Sequence, residues 1–212
     1  MVFYFFLFDN FETLDLFGPV EIFGRIPDTK LHYVSLEGGM ITNAQGVRIF
    51  TDQADVLPKG GILVIPGGKG TRILVKDERF LSRLSRIADS AEYVLTVCTG
   101  SALLAAAGIL HGVRATSNKY AFDWVISTGS ADWKRKARWV HDGKYYTASG
   151  VSAGIDMALG FMADHYGTEA ARENAMRAEY LWNEDADNDP FAVRETADTE
   201  DLVKGTDFAE TI

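Results

Sequence analysis

Unbroken apolar runs alternate along this chain with stretches in which apolar positions recur every three or four residues. The first run, VFYFFLF at 2–8, has no polar face and predicts a central strand covered on both sides. DLFGPVEIFGRI at 15–26 predicts a short helix, with Pro19 near its first turn, where a missing N–H is tolerated. LHYVSLE at 31–37 and GVRIF at 46–50 predict further strands. GILVIP at 61–66 is again continuously apolar and runs into Pro66-Gly67-Gly68, the pattern of a buried parallel strand feeding a tight loop. Between 78 and 89, Phe80, Leu81, Leu84, Ile87 and Ala88 share one helical face. AEYVLTV at 91–97 predicts a strand, and a small-residue helix follows Cys98 and stops at Gly108. In VHDGKYYTAS at 140–149 the Asp142-Gly143 pair predicts a hairpin. SAGIDMALGFMADHYG at 152–167 predicts a long helix closed by Gly167, and Thr168 is placed to cap a further helix reaching about Trp182.

This alternation of strands and helices implies an α/β fold: a single doubly wound, mostly parallel sheet flanked by helices over residues 1–182. The length of 212 residues fits one sizeable domain, and 47% hydrophobic with 24% charged residues is ordinary for a soluble globular protein. Charge changes the picture at one end. Of a net −9, residues 183–212 carry −8, from ten acids and two bases, so the body is close to neutral. That segment is read as an acidic C-terminal extension, either a solvated face or a tail that meets a partner. No basic footprint exists for nucleic acid. The longest apolar run is too short to span a bilayer and lacks a basic segment before it, so neither a membrane nor a leader role is expected. One cysteine cannot make an internal disulfide, which fits a reducing cytoplasm.

That cysteine, Cys98, sits where candidate chemistry concentrates. A strand, then Cys98-Thr99-Gly100-Ser101, then a helix is the layout of a nucleophile elbow, which lifts a side chain above the carboxyl end of a sheet. The adjoining helix start would favour the thiolate. The other reading is a buried, inert thiol. Gly67 and Gly68 are either a plain turn after a strand or a source of backbone N–H groups for developing negative charge. Asp15, read alone, is a helix N-cap. Gly150-Val-Ser-Ala-Gly154 matches the serine-hydrolase elbow. However, His165, the only later histidine, lies thirteen residues along the same predicted helix, almost twenty Å from Ser152 at ~1.5 Å per residue. Ser152 is therefore not expected to be a nucleophile. No paired histidines, cysteine cluster, Ca²⁺ loop, G-x-G-x-x-G or Walker pattern appears, so neither metal nor cofactor is expected.

Four stretches, in order, carry a resemblance: ETLDLFGPVEIFG (12–24), VIPGGKGTR (64–72), VCTGSALLAAAGIL with HGVRATSN (97–118), and ASGVSAGIDMALGF (148–161). Together they resemble the ThiJ/PfpI superfamily, whose fold is akin to class I glutamine amidotransferases, over about residues 2–182. The LDLFGPVEIF form resembles its isonitrile hydratase branch and the amidase-like domains of some AraC-type regulators. The resemblance implies that Cys98 is the nucleophile, Asp15 the carboxylate that shares a proton with it, and Gly67 and Gly68 the backbone donors. It further implies that Thr99 faces the same pocket, with Gly18, Pro19, Ser117 and Asn118 around it. A small-molecule substrate, no cofactor and a homodimer are implied with them. Many relatives carry a histidine after the RAT segment; here Ser117 and Asn118 stand there, and His32, His111, His141 and His165 lack the matching context. That departure bears hardest on Cys-His chemistry. The leading expectation is hydration of an isocyanide to an N-substituted formamide. The alternatives are a thiol stress sensor, another cysteine-dependent hydrolase or amidase, and a ligand-sensing module. The last is disfavoured by the short chain after Trp182, which leaves no room for a DNA-binding domain.

Overall fold

The computed structural model describes residues 1–192. The chain runs β1 (Val2–Phe6), α1 (Thr13–Gly24), β2 (Lys30–Ser35), β3 (Gly39–Thr42), β4 (Arg48–Gln53), β5 (Gly61–Ile65), α2 (Thr71–Leu74), α3 (Glu78–Ser90) and β6 (Tyr93–Thr96). It continues α4 (Gly100–Ala106), β7 (Arg114–Ala115), α5 (Phe122–Thr128), β8 (Asp132–Trp133), β9 (Trp139–Asp142), β10 (Tyr145–Ala148), α6 (Ala153–Tyr166) and α7 (Thr168–Arg177). Eight strands form one sheet in the order β3-β4-β2-β1-β5-β6-β10-β9. The six inner strands are parallel, and β3 and β9 pair antiparallel at the two edges. β7 and β8 make a separate two-stranded pair.

The apolar runs occupy the centre, as their lack of a polar face requires. Every residue of β5 is buried, and Phe3, Phe5 and Phe6 of β1 are fully enclosed. Phe3 stacks on Phe23 of α1 with centroids 4.1 Å apart, and Phe161 of α6 packs edge-on to both. Together these contacts fix α1 and α6 against the same sheet face. On α3 four residues of the predicted stripe, Phe80, Leu84, Ile87 and Ala88, are buried and Leu81 is half-buried, and the Asp77 carboxylate caps the Phe80 N–H at 3.0 Å.

Because the chain steps from β1 to β2 on one side and later to β5 on the other, the order reverses between β1 and β5. The loops leaving β1, β5 and β6 therefore gather over one crevice at the carboxyl end of the sheet.

Several expectations are corrected. α1 starts at Thr13, so Pro19 lies at its seventh residue rather than in the first turn, and the Asp15 carbonyl loses its usual i+4 donor. Asp15 is inside the first turn; Glu12 holds the N-cap position without a side-chain cap bond. Gly167, with φ 89°, precedes α7, and Thr168 makes no cap bond. α7 ends at Arg177, five residues short of Trp182.

The change of composition at 183 is not a packing boundary. Ala186 accepts from the N–H groups of Arg138 and Trp139, and Asp189 is completely buried. Of the ten acids read as an extension, Glu195, Asp198, Glu200, Asp201, Asp207 and Glu210 lie outside the described residues, as do Arg194 and Lys204. Among the described residues no helix is long and apolar enough to cross a membrane.

Candidate active site

β6 delivers Cys98 to the crevice two residues after its last strand position. Its φ is +55°, a left-handed conformation that costs a non-glycine residue ~1–2 kcal/mol. Hydrogen bonds on every side hold it there. The Cys98 N–H donates to Ser149 O at 2.8 Å, and its carbonyl accepts from Ser117 Oγ at 2.8 Å and Ser101 Oγ at 3.3 Å. Tight packing under the turn explains its glycines. A Cβ on Gly100 would lie 2.6 Å from Ile65 O, and one on Gly67 2.5 Å from Thr99 N. Cys98 is 2% exposed.

Asp15 comes from α1, fully buried, and lies against the thiol. The N–H of Gly67 donates to its Oδ2 at 2.8 Å, while Oδ1 has no hydrogen-bond partner. Burial raises the pKa of this carboxyl well above the usual carboxylate range. The Gly67 N–H works against that rise, Glu12 adds to it, and the neighbouring Cys98 thiol opposes it. Burial likewise pushes the Cys98 thiol far up, and the Asp15 charge pushes it further. The Thr99 and Val151 N–H groups and the Asn118 side chain, all hydrogen-bonding the sulfur, act in the opposite direction without cancelling it. The thiolate-favouring helix start expected from sequence is thus outweighed: the closed site favours the protonated form of both groups.

The roles of the predicted donors are redistributed. Gly67 gives its N–H to Asp15, and Gly68 gives its own to Thr99 Oγ1 at 3.0 Å, so both position neighbours instead of facing the sulfur. The Thr99 hydroxyl turns to Gly68 and to Thr71 Oγ1, 3.1 Å away; only its N–H addresses Cys98. Gly18 and Pro19 are buried in α1, where Gly18 admits close approach of Ile155 from α6. Ser117 supports the elbow from behind, through the Cys98 carbonyl. Asn118, in the segment after RAT where the resemblance implies a histidine, does reach the sulfur; its Oδ1 accepts from the Ala121 N–H at 2.9 Å.

None of the histidines belongs to this group. His32 stacks on Tyr4 and His141 on Tyr146, His165 packs against Tyr93 and Phe161, and His111 is exposed beyond α4. Ser152 begins α6 and accepts from Arg138 Nη2 at 3.0 Å, while His165 sits near the far end of the same helix.

Two participants were missed by sequence reasoning. Val151, with φ +32°, supplies an N–H to the sulfur. Arg72, inside the quoted GGKGTR stretch, stacks its guanidinium 3.4 Å from the centroid of the Trp124 ring and lies near enough to feel the Cys98 charge. Its position after the glycine loop was the available signal.

Gly150 serves as spacing within this shell. A Cβ there would run into Asn118 Nδ2 and lie 3.3 Å from its Cγ. Gly150→Ala is expected to displace the Asn118 amide, lower stability by about 1–2 kcal/mol and slow alkylation of Cys98 about threefold. Thermal melts and iodoacetamide kinetics check this; unchanged kinetics would remove Asn118 from the thiol's environment.

A cavity of about 300 Å³ lies next to the shell of residues that hold Cys98; Cys98 itself is not among the residues that line it. Asn118, Ser149 and Val151, which touch Cys98, form part of its lining, together with Tyr120, Arg138 and Phe191. A family model described as the DJ-1/PfpI family matches residues 2–164. The chain belongs to the DJ-1/PfpI family. Among its relatives is an isonitrile hydratase of Pseudomonas putida, 34% identical over 177 residues, covering 83% of this chain and 77% of that protein. A deglycase of Thermococcus kodakarensis is 30% identical over 130 residues, covering 59% of this chain and 76% of the relative. The crystal structure of a ThiJ/PfpI family protein from Pseudomonas syringae has the same fold. Its TM-score is 0.74 at 28% identity, covering 84% of this chain and 74% of that one.

Proposed function

We propose that the chain is a cofactor-independent hydratase that converts an isocyanide, R–N≡C, and water into the formamide R–NH–CHO. The observation that carries this reading is the buried Asp15–Cys98 pair, with a carboxyl whose burial favours its protonated form and no histidine beside it. An isocyanide carbon must accept a proton and a nucleophile at one atom, and a protonated carboxyl against a thiol offers both. Asp15 gives its proton to the terminal carbon while the Cys98 sulfur bonds to it; the thiol proton passes to the carboxylate. The product is a thioimidate, R–N=CH–S–Cys98. Asp15, protonated again, passes its proton to nitrogen and takes one from the water that adds to that carbon. Collapse of the tetrahedral adduct expels the sulfur, which recovers its proton, and releases the formamide. The Thr99 and Val151 N–H groups and the Asn118 amide stabilise charge on sulfur as it leaves.

A sensor reading requires an accessible, low-pKa thiol, and Cys98 has neither property. The acting species is a homodimer in the cytoplasm. Leu14 and Phe17, exposed on the helix that carries Asp15, support the former, and the lone unpaired cysteine supports the latter. The deciding experiment is formation of N-phenylformamide from phenyl isocyanide, followed by NMR, with Cys98→Ala as control. Turnover lost by at least ~10³-fold in the variant supports the reading. Wild type no faster than buffer, or a variant as fast as wild type, refutes it.

A further inference from the structure

After α7 the chain returns across the body and ends its described course at the cavity mouth. Asp189 fixes that course. Its N–H donates to Lys136 O at 2.7 Å, and its buried carboxylate lies 3.5 Å from Arg138 Nη1 and 4.0 Å from Lys119 Nζ. Its Oδ1 accepts the Phe191 N–H at 2.9 Å, and its carbonyl accepts the Ala192 N–H, closing a turn around Pro190. The turn sets the Phe191 ring 5.9 Å from the Arg138 guanidinium on the rim of the 300 Å³ cavity. Folding leaves that ring 64% exposed, although the backbone beneath it is firmly held. Tyr120, 58% exposed, is a second aromatic on the same rim.

The charges around the cavity balance. Arg138 meets Asp156 and Asp189, and Lys119, whose pKa burial lowers to about 8, faces Asp189. Among the described residues that line it, no surplus cation remains for an anionic substrate or surplus anion for a cationic one. What the rim offers is ring faces and the Val151 side chain. The volume is at the lower end for small-molecule sites, while a cavity of about 150 Å³ suffices for benzene.

We propose that Phe191, held by the Asp189 turn, is a specificity-determining wall of the substrate pocket. With Tyr120 it selects an uncharged substituent of one or two rings on the isocyanide. This deepens the hydration reading and rests on it for the substrate. The segment that composition marks as a tail is therefore part of the site.

The test compares wild type, Phe191→Ala and Phe191→Tyr as full chains, with phenyl isocyanide and ethyl isocyanide. Phe191→Ala is expected to raise KM for the aryl substrate about five- to tenfold with kcat within about twofold, and to leave the ethyl KM nearly unchanged. Phe191→Tyr restores the aryl KM. Equal effects on both substrates, or none, overturn the proposal. A second readout does not need turnover: the ratio of Cys98 labelling rates by N-phenylmaleimide and N-methylmaleimide at mildly alkaline pH. Loss of the aryl preference in Phe191→Ala supports the wall even if no isocyanide is hydrated, in which case only the substrate reading fails. An unchanged ratio overturns the wall. Melting temperatures of the variants should match wild type, because the ring is largely exposed.

Discussion

Asp15→Asn is expected to lose formamide formation by about 10³-fold or more, while Cys98 reacts faster with iodoacetamide and the protein becomes more stable. The three outcomes share one cause. Burial holds the Asp15 carboxyl proton well above the ordinary range, which is what proton delivery requires and what ionisation of a neighbour resists. Asn keeps an oxygen for the Gly67 N–H, at 2.8 Å from Oδ2 in the native site, and can place an NH₂ where Oδ1 now has no partner. The thiolate then loses a negative neighbour and gains a donor, so alkylation should speed up about three- to tenfold.

Stability follows from the sign of the shift. The carboxyl titrates near 3.8 when unfolded and well above that when folded. Between those values the folded state binds more protons, so native stability falls as pH rises through the window. Asn does not titrate. The variant should match wild type near about pH 4 and exceed it by a growing margin as pH rises above that, read as a higher Tm at about pH 8 than wild type. Activity loss with slower alkylation and lower stability would make Asp15 a structural acid and remove it from the chemistry.

The sequence made legible those parts of the fold that rest on one-dimensional pattern. β1, β5 and β6 lie at the sheet centre, and the continuous apolar runs of β1 and β5 leave no polar face to present to water. β3 was missed because GMIT sits at an edge, with no residue fully buried, and so carries no alternation to read. β7 and β8 are two residues each, set by pairing to one another and not by local preference. At the site, the elbow was readable because strand, cysteine and small-residue helix are contiguous. Asp15 was reached by resemblance alone: it lies eighty-three residues away and meets Cys98 only because β1 and β6 flank β5. The donors were misassigned for a simple reason. A pair of glycines announces available N–H groups but not the direction in which they point, and here Asp15 and Thr99 take them. Least legible was the convergence of Arg138, Asp156 and Asp189, whose spacing in sequence follows no period.

That convergence carries the largest expected stability effect. Asp156→Ala is expected to cost about 3–5 kcal/mol, because it strands a buried cation. Asp156 is fully enclosed on α6, and its Oδ2 accepts from Arg138 Nε and Nη2, both at 2.8 Å. Its Oδ1 accepts from Tyr180 Oη and the Asn183 N–H, both at 3.0 Å, and its carbonyl accepts from Trp182 Nε1 at 3.1 Å. Without the carboxylate, Arg138, 5% exposed, is left with Ser152, the Tyr180 side chain and the more distant Asp189. The Asn183 and Tyr180 anchors of the returning segment are lost in the same step. Denaturant unfolding measures the cost, and limited proteolysis after α7 measures release of the segment. Removing both charges together, as in Arg138→Met with Asp156→Leu, should cost less than Asp156→Ala alone, since no unpaired ion is left behind. Release of the segment should also abolish the aryl preference in maleimide labelling, because the turn that holds Phe191 is built on Asp189 beside the same guanidinium. A loss below about 1 kcal/mol, with the segment still protected, would mean that Asp189 alone neutralises Arg138 and that the arm is held from its far end.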